Sequence, residues 1–218
     1  MTVAVPCRGL LFDSDGVLVD SDAVVELSWS RWAEERDLDA AAVLAMVHGR
    51  RSADTVALLV EEAARTDALA AIDRYEVEDA AGVTALPGAA DLLTALPAGA
   101  WAVVTSGRQE LVTARLAEAG LPVPPVLVCA EDVPAGKPDP AGYARAAARL
   151  GLPAGECVVL EDSPAGVAAG MAAGATVVGV GERALGTPAE VVVRDLRGLR
   201  FDGARLAVPP EALLRSSR

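Results

Sequence analysis

The sequence is short of several residue types, and each shortage narrows what the chain can do. Among 218 residues there is one lysine, one histidine and no asparagine, against eighteen arginines. The 19 basic residues are outnumbered by 31 acidic ones, which gives a net charge of −12. Such a chain lacks the basic patch that binds nucleic-acid phosphates or anionic membrane surfaces. We expect neither as a partner, and we expect the locally basic stretch Arg194–Arg218 to be a solvated tail.

Long apolar runs are also missing, and a secretion signal is not expected. The only long uncharged segment, Ser163–Gly181, is interrupted by five glycines and cannot form a membrane span. The start of the chain has no basic region followed by an apolar run, so no signal peptide is predicted. The three cysteines are an odd number, and each lies in or beside an apolar run; they are Cys7, Cys129 and Cys157. This pattern predicts buried free thiols and a cytoplasmic protein.

Short apolar runs alternate with helical patterns through most of the chain, of which 52% is hydrophobic and 23% charged. Continuous apolar strands separated by helices are typical of a parallel sheet that is covered on both faces. We therefore predict an α/β fold with a doubly wound parallel-sheet core. The predicted strands are Gly9–Phe12, Trp101–Val104, Val126–Val128, Cys157–Leu160, Ala175–Val180 and Val191–Val193.

One interval contains helical periodicity and no convincing strand. It lies between the first strand and the helix that begins near Pro87, so it predicts an inserted α-helical cap domain. Residues 1–19 and 86–218 would form the core, and residues 20–85 the cap. Trp29 and Trp32, three residues apart, are predicted to pack in the interior of the cap. The predicted cap helices are Ala23–Arg36, Ala40–Val47, Ala53–Arg65 and Asp67–Ala81.

Acidic residues follow two of the predicted strands. Asp13 and Asp15 are two residues apart in an extended chain, so both project to the same side. Such a pair suits a divalent metal or an acid–base pair, and one aspartate could instead cap the next helix. Glu161 and Asp162 follow another strand, and the carboxyl ends of strands in an open α/β sheet line one crevice. Oxygen ligands without histidine or cysteine favour Mg²⁺ over zinc.

Two further loops carry groups suited to an anion. Thr105, Ser106 and Gly107 follow a strand and begin a helix, where exposed N–H groups and a hydroxyl can bind phosphate. Lys137 lies in a Gly-Lys-Pro loop ahead of another helix. Its ammonium group could offset the excess negative charge of several carboxylates and a phosphoryl group.

These four segments, in this order, resemble the motifs of the haloacid dehalogenase (HAD) superfamily of phosphohydrolases. The first is Asp13-x-Asp15-Gly-x-Leu-x-Asp-Ser, and Thr105, Lys137 and the Glu161-Asp162 pair follow it. The insertion resembles the helical cap of the β-phosphoglucomutase-like and sugar-phosphate phosphatase branch. The resemblance implies a HAD-type Rossmann-like core and a Mg²⁺-dependent phosphatase.

The resemblance also implies roles for individual residues. Asp13 would be the nucleophile that forms an aspartyl-phosphate, and Asp15 would protonate the leaving oxygen and then activate water. Lys137 would steady Asp13 and the transferring group. The implied metal ligands are Asp13, the Asp15 backbone carbonyl and Asp162, with Glu161 acting through water. The implied contacts to the phosphoryl oxygens come from Thr105 and the N–H groups of Ser14, Ser106 and Gly107.

Comparison with other branches of the superfamily reduces the number of functions that the resemblance allows. The carboxylates of both acidic motifs argue against the dehalogenases, and the absence of a lysine in the cap argues against the phosphonatases. The β-phosphoglucomutases have a histidine where this chain has Val25, which disfavours a mutase. His48-Gly49-Arg50-Arg51 resembles a stretch of sugar- and polyol-phosphate phosphatases, so these four residues are predicted to contact substrate.

The predicted function is hydrolysis of a small sugar or polyol phosphate by a monomer or weak dimer. Three alternatives remain open at this point. A β-phosphoglucomutase-type mutase would transfer the phosphoryl group to a sugar. A phosphoglycolate or pyrophosphate hydrolase would use the same chemistry on another substrate. A non-catalytic phosphosugar-binding protein would have the same fold without turnover.

Overall fold

The computed structural model describes residues 2–217. In this part of the chain the main sheet has seven strands in the order β12-β9-β8-β7-β2-β5-β6, and all neighbours are parallel except β12 and β9. A separate antiparallel sheet has the order β1-β11-β10, and β3 pairs with β4. The strands are β1 (Val3–Pro6), β2 (Gly9–Phe12), β3 (Val19–Asp20), β4 (Thr84–Ala85), β5 (Trp101–Val104), β6 (Leu127–Val128), β7 (Cys157–Glu161), β8 (Thr176–Val180), β9 (Val191–Val193), β10 (Arg200–Phe201), β11 (Arg205–Val208) and β12 (Leu213–Ser216).

Helices cover both faces of the main sheet. Leu10 and Phe12 of β2 pack into one hydrophobic cluster, while Leu11, which points the other way, packs into a second cluster with Tyr143 and Val167. This two-sided burial explains the continuous apolar runs, and the predicted doubly wound α/β fold is confirmed. The helices are α1 (Asp22–Glu34), α2 (Ala40–Val47), α3 (Ser52–Leu59), α4 (Arg65–Glu78), α5 (Ala89–Ala95), α6 (Gln109–Glu118), α7 (Ala141–Arg149) and α8 (Pro164–Ala172). None of the helices within residues 2–217 has both the length and the apolarity required to cross a membrane.

Helices α1–α4 form the cap and have a hydrophobic cluster of their own. Trp29 and Trp32 are buried in it, edge to face, with ring centroids 5.2 Å apart, as predicted. The Trp32 indole N–H donates to the backbone carbonyl of Ala68 at 2.7 Å, which ties α1 to α4. The chain enters the cap through β3 and leaves it through β4. The exact division at residues 20 and 85 stays a prediction.

One predicted cap helix is shorter than expected. The pattern over Ala53–Arg65 predicts one helix, but α3 ends at Leu59 and Val60 is extended, with φ −127° and ψ 137°. The guanidinium group of Arg65, the first residue of α4, donates to the carbonyls of Val60 and Ala57 at 2.9 Å each. The two helices are therefore separated by a turn whose free carbonyls bind an arginine side chain.

The prediction of a solvated tail over Arg194–Arg218 is wrong for the described residues. The segment forms β10, β11 and β12, and β12 is an edge strand of the main sheet. The side chain of Arg215 donates to the carbonyls of Leu185 at 2.7 Å and of Thr187 at 2.8 Å. Its charge therefore binds backbone oxygens next to the sheet; Arg218 lies outside the described residues.

Candidate active site

The predicted site residues converge because β7, β2 and β5 are neighbours in the sheet. Their carboxyl ends carry the Glu161-Asp162 pair, the Asp13 loop and the Thr105 loop, as expected for an open α/β sheet. A cavity of about 60 Å³ lies between these loops and the cap. The sequence-predicted residues that line it are Asp13, Asp15, His48, Gly49, Arg50, Thr105, Ser106, Gly107 and Asp162.

Asp13 is buried at the floor of this cavity. Its Oδ1 atom accepts a hydrogen bond from the Ser14 N–H at 2.8 Å and lies 2.8 Å from the ammonium nitrogen of Lys137. Burial and the negative charge of Glu161 raise the pKa of Asp13, and Lys137 opposes that shift. One carboxylate oxygen is thus held by two donors, while Oδ2 has no such contact among the described residues.

Lys137 and Glu161 lie behind Asp13. The Lys137 ammonium group contacts both Asp13 and Glu161, and although burial opposes its charge, these carboxylates raise the pKa of Lys137. The fully buried Glu161 also accepts hydrogen bonds from the Tyr143 hydroxyl at 2.9 Å and from the Ser163 N–H and hydroxyl at 2.9 and 3.0 Å. Four donors therefore occupy its two oxygens.

Asp162 completes a buried acidic cluster. Asp13, Glu161 and Asp162 each offer an oxygen, and these oxygens lie within 4.8 Å of one another. Burial and the charge of Glu161 raise the pKa of Asp162 to about 7. Gly16 turns here with φ 78°, and a Cβ on it would lie 2.3 Å from Asp162 Oδ2. The glycine lets the loop approach this carboxylate, and the cluster is suited to a divalent cation.

Asp15 lies beside the cluster, with about a third of its side chain exposed (32%). Its Oδ1 atom accepts hydrogen bonds from the Ser21 hydroxyl at 2.6 Å and from Arg115 Nη1 at 2.8 Å. Sequence reasoning missed Arg115, which lies on α6 and lines the cavity. The signal was present, because Arg115 follows Leu111 by four residues and Val112 by three and therefore shares their buried helix face.

The Thr105 loop has the geometry of an anion cradle. The Gly107 N–H donates to the Thr105 hydroxyl oxygen at 3.0 Å, so the hydroxyl hydrogen of this cavity-lining residue is available for another acceptor. The Ser106 hydroxyl instead donates to the Gly49 carbonyl at 3.0 Å. This last bond joins the core to the cap beside the cavity.

The four predicted cap residues are placed differently from one another. Gly49 and Arg50 line the cavity, and His48 Nδ1 lies 3.1 Å from a guanidinium nitrogen of Arg183. Burial and the charge of Arg183 lower the pKa of His48. The structure does not bring Arg51 to the cavity lining; its guanidinium group binds Asp54 at 2.7 and 2.8 Å.

Arg183 is a second residue that sequence reasoning missed. It follows β8 and contacts Asp162 Oδ2 at 3.1 Å and Asp22 of the cap at 3.0 Å. The cavity lining also includes the apolar side chains of Val25, Trp29 and Val47. Charged and apolar side chains therefore both line this space.

The chain is similar in sequence to a known family and to curated proteins. The family model of the haloacid dehalogenase-like hydrolases matches residues 7–174. Hexitol phosphatase A of Escherichia coli is 46% identical over 179 residues, which cover 80% of this chain and 83% of that protein. Glycerol-1-phosphate phosphohydrolase 2 of Saccharomyces cerevisiae is 32% identical, covering 78% of this chain and 73% of its own length.

The solved structures agree on the fold. The β-phosphoglucomutase of Clostridium difficile superimposes with a TM-score of 0.78 at 20% identity, covering 89% of this chain and 94% of that one. This likeness shows a shared fold, and the family model and the curated relatives show the family. The chain belongs to the haloacid dehalogenase-like hydrolases, and it is an enzyme of their phosphatase kind.

Proposed function

We propose that the protein is a Mg²⁺-dependent phosphatase that hydrolyses a small sugar or polyol phosphate monoester through a phosphorylated Asp13. The observation that carries the proposal is the state of the Asp13 carboxylate. It lines the cavity between core and cap, with one oxygen held by Ser14 and Lys137 and the other without a donor among residues 2–217. A buried, oriented carboxylate of this kind is suited to in-line attack on phosphorus.

In the first step, Asp13 Oδ2 attacks phosphorus and the bond from phosphorus to the ester oxygen breaks. Asp15, in its protonated form, transfers its proton to the departing alkoxide and leaves a neutral alcohol. In the second step, Asp15 removes a proton from water, and the resulting hydroxide attacks phosphorus. Inorganic phosphate leaves, and Asp13 and the protonated Asp15 are regenerated.

Several groups stabilise the transferring phosphoryl oxygens. The Thr105 hydroxyl and the Ser106 N–H belong to the loop that precedes α6, whose dipole favours an anion, and we assign both to the phosphoryl oxygens. In the described structure the Ser14 N–H donates to Asp13 and the Gly107 N–H to Thr105, so these two amides act first by orienting their partners. The ammonium group of Lys137 stabilises the charge on Asp13.

The donor set fits Mg²⁺. The three buried carboxylates have two cationic partners, Lys137 at Asp13 and Glu161 and Arg183 at Asp162, which still leaves negative charge for a divalent cation to offset. We assign the metal to the side chains of Asp13 and Asp162 and the backbone carbonyl of Asp15, where it would supply positive charge to the phosphoryl oxygens. The oxygens of Glu161 already have four donors, so we assign Glu161 to holding Lys137 rather than to the metal.

Water is the proposed phosphoryl acceptor, and a polyol or sugar phosphate the proposed substrate. Val25 lines the cavity, and its apolar side chain cannot take up a proton, unlike the histidine that the resemblance implies at this position in a mutase. The polar lining residues Asp22, His48 and Arg183 offer donors and acceptors for hydroxyl groups. The named activities of the relatives support this class, and we place the enzyme in the cytoplasm as a monomer or weak dimer.

The test is phosphate release from Asp13→Asn with and without Mg²⁺, over a panel of phosphate esters. The panel contains hexitol, glycerol, hexose and 2-deoxyglucose phosphates, phosphoglycolate, pyrophosphate and β-glucose 1-phosphate. We expect Mg²⁺-dependent release by the wild type, highest on polyol or sugar phosphates, and a loss of at least about 1,000-fold in the variant.

The matched control is Asp91→Asn on the exposed face of α5, which keeps full turnover. Retained turnover in Asp13→Asn would contradict the mechanism. Glucose 6-phosphate formed from β-glucose 1-phosphate faster than inorganic phosphate would favour the mutase. Binding of sugar phosphates without any turnover would favour the non-catalytic alternative.

A further inference from the structure

A buried guanidinium group joins the core to the cap beside the cavity. The side chain of Arg115 is 3% exposed. Its Nη1 atom lies 2.8 Å from Asp15 Oδ1, and its Nη2 atom lies 3.3 Å from Oε1 of Glu76. Asp15 belongs to the first core loop and Glu76 to cap helix α4, so one side chain contacts carboxylates on both sides of the cavity.

Glu76 is itself fixed within the cap. Its side chain is 7% exposed, and its Oε2 atom accepts a hydrogen bond from the hydroxyl of Ser52, the first residue of α3, at 3.1 Å. The Nε atom of Arg115 is buried and has no hydrogen-bond partner among residues 2–217. A buried cation with one unsatisfied N–H is costly for stability. That cost points to a role for Arg115 in the geometry of the site.

We propose that Arg115 is a positioning residue for Asp15, and that Glu76 of the cap holds Arg115 in place. The inference rests on the proposed function, in which Asp15 exchanges protons with the ester oxygen and with water. The Asp15 side chain is about one-third exposed (32%) and, without a partner, could rotate among several conformers. Arg115 and Ser21 both bind its Oδ1 atom, which fixes the direction of Oδ2, an oxygen without a hydrogen-bond donor within residues 2–217.

The connection to Glu76 makes this orientation depend on the cap. Proton transfer requires hydrogen-bond distance, and a displacement of about 1 Å can cost about 100-fold in rate. When α4 lies against α6, Glu76 binds one end of the guanidinium group and the other end meets Asp15. When the cap moves away, Arg115 loses that anchor and Asp15 loses its fixed direction. Asp15 is therefore aligned for proton transfer only while the cap covers the substrate.

The leaving group distinguishes a positioning role from a structural one. A polyol phosphate releases an alkoxide that needs a proton, whereas acetyl phosphate releases acetate, which does not. The value of kcat/KM reports the steps up to formation of the aspartyl-phosphate and excludes its hydrolysis. In Arg115→Met we expect kcat/KM to fall about 100-fold for the best polyol phosphate and less than about 5-fold for acetyl phosphate. A purely structural defect lowers both equally.

Further variants test the contact between Arg115 and Glu76 and show whether a loss of activity comes from misfolding. Glu76→Gln keeps an acceptor for Arg115 and should retain most activity, while Glu76→Ala should show the same selective loss, about 10-fold. Arg115→Lys keeps the charge but cannot reach both carboxylates, and should also lose polyol phosphate turnover selectively. The matched control is Arg108→Met, which removes the neighbouring cap–core ion pair with Asp73 (2.6 Å) and should leave the ratio of the two substrates unchanged.

Asp15→Asn separates failure of this inference from failure of the proposed function. If Asp15→Asn loses polyol phosphate turnover selectively but Arg115→Met and Arg115→Lys lower both substrates equally, the positioning role is overturned. If Asp15→Asn itself lowers both substrates equally, Asp15 is not the acid, and the proposed mechanism fails together with the inference. Equal ratios in Glu76→Ala and wild type would overturn the part assigned to the cap.

Discussion

Replacing Lys137 with arginine keeps the charge and changes only its shape, so it tests why the single lysine of the chain stands at this position. The ammonium nitrogen lies 2.8 Å from Asp13 Oδ1 and also contacts Glu161. The ring centre of Tyr143 is 5.4 Å from it, and the side chain of Lys137 is only 6% exposed. A compact group with three donors fits this space, whereas a longer planar guanidinium cannot keep both contacts without displacing a neighbour.

The expected losses of kcat and of folding stability follow from the contacts that the arginine disturbs. Removal of one preorganised donor at a reacting oxygen typically costs about 100- to 1,000-fold in kcat, or about 2.7–4 kcal/mol. Forcing extra atoms into a packed interior costs about 1–3 kcal/mol of folding stability. We therefore expect Lys137→Arg to lose at least about 100-fold in kcat and to unfold at a lower denaturant concentration, while remaining folded under assay conditions.

The assay is steady-state phosphate release at saturating substrate and Mg²⁺, together with urea denaturation of the same samples. Lys137→Met is the companion variant, because it removes the charge and leaves Asp13 facing Glu161 without a cation. If charge alone mattered, arginine would retain activity and methionine would not. A kcat within about threefold of wild type for Lys137→Arg, with an inactive Lys137→Met, would refute the reasoning from shape.

Three further outcomes are expected. In Gly166→Ala the new Cβ would lie 1.6 Å from Glu161 Oε1, so we expect the free energy of unfolding measured in urea to fall by about 1–3 kcal/mol. The control Gly99→Ala, whose Cβ would have no neighbour within 4 Å, should unfold at the same urea concentration as wild type. Equal stability of the two variants would contradict the contact. The pKa of Asp162 is raised to about 7, and Mg²⁺ binds the ionised carboxylate. The Mg²⁺ affinity measured by calorimetry should therefore fall as the pH drops below about 7 and level off above it. An affinity independent of pH between about 5 and 8 would exclude Asp162 as a ligand. Arg215→Ala removes charged hydrogen bonds to the carbonyls of Leu185 and Thr187, so we expect the free energy of unfolding to fall by about 1.5–3 kcal/mol and kcat to stay unchanged. An unaltered denaturation midpoint would support the interpretation of this segment as a solvated tail.

The six parallel strands of the main sheet and the four core loops were predictable because their chemistry is local. Continuous apolar runs such as Trp101–Val104 are buried on both faces, and the acidic and hydroxyl residues that follow them fall at one edge of the sheet. Arg115 and Glu76 were missed because a charged residue on an apolar helix face has no local explanation. The two residues form an ion pair only when α4 and α6 pack together, and this tertiary contact cannot be read from the sequence of either helix.

The carboxyl-terminal strands were missed for a different reason. The net positive charge of the segment suggested solvation, but Leu206 and Val208 are buried while Arg205 is exposed, an alternation typical of a strand. Strand β11 pairs with β1, near the other end of the sequence, and this pairing cannot be read from local composition. The end of α3 at Leu59 depends likewise on a side chain, that of Arg65, which binds its last carbonyls.

The short β3–β4 pair has a consequence for how such enzymes diversify. Val19 pairs with Ala85 and Asp20 with Thr84, so the two places where the chain passes between core and cap are neighbours. An insertion that enters and leaves at one point imposes little constraint on the sheet beneath it, and the entropy of closing such a loop grows slowly with its length. A cap of another size can therefore be joined to the core at the β3–β4 pair. Exchange of the cap alone can then change the substrate preference while Asp13 and its partners stay in place.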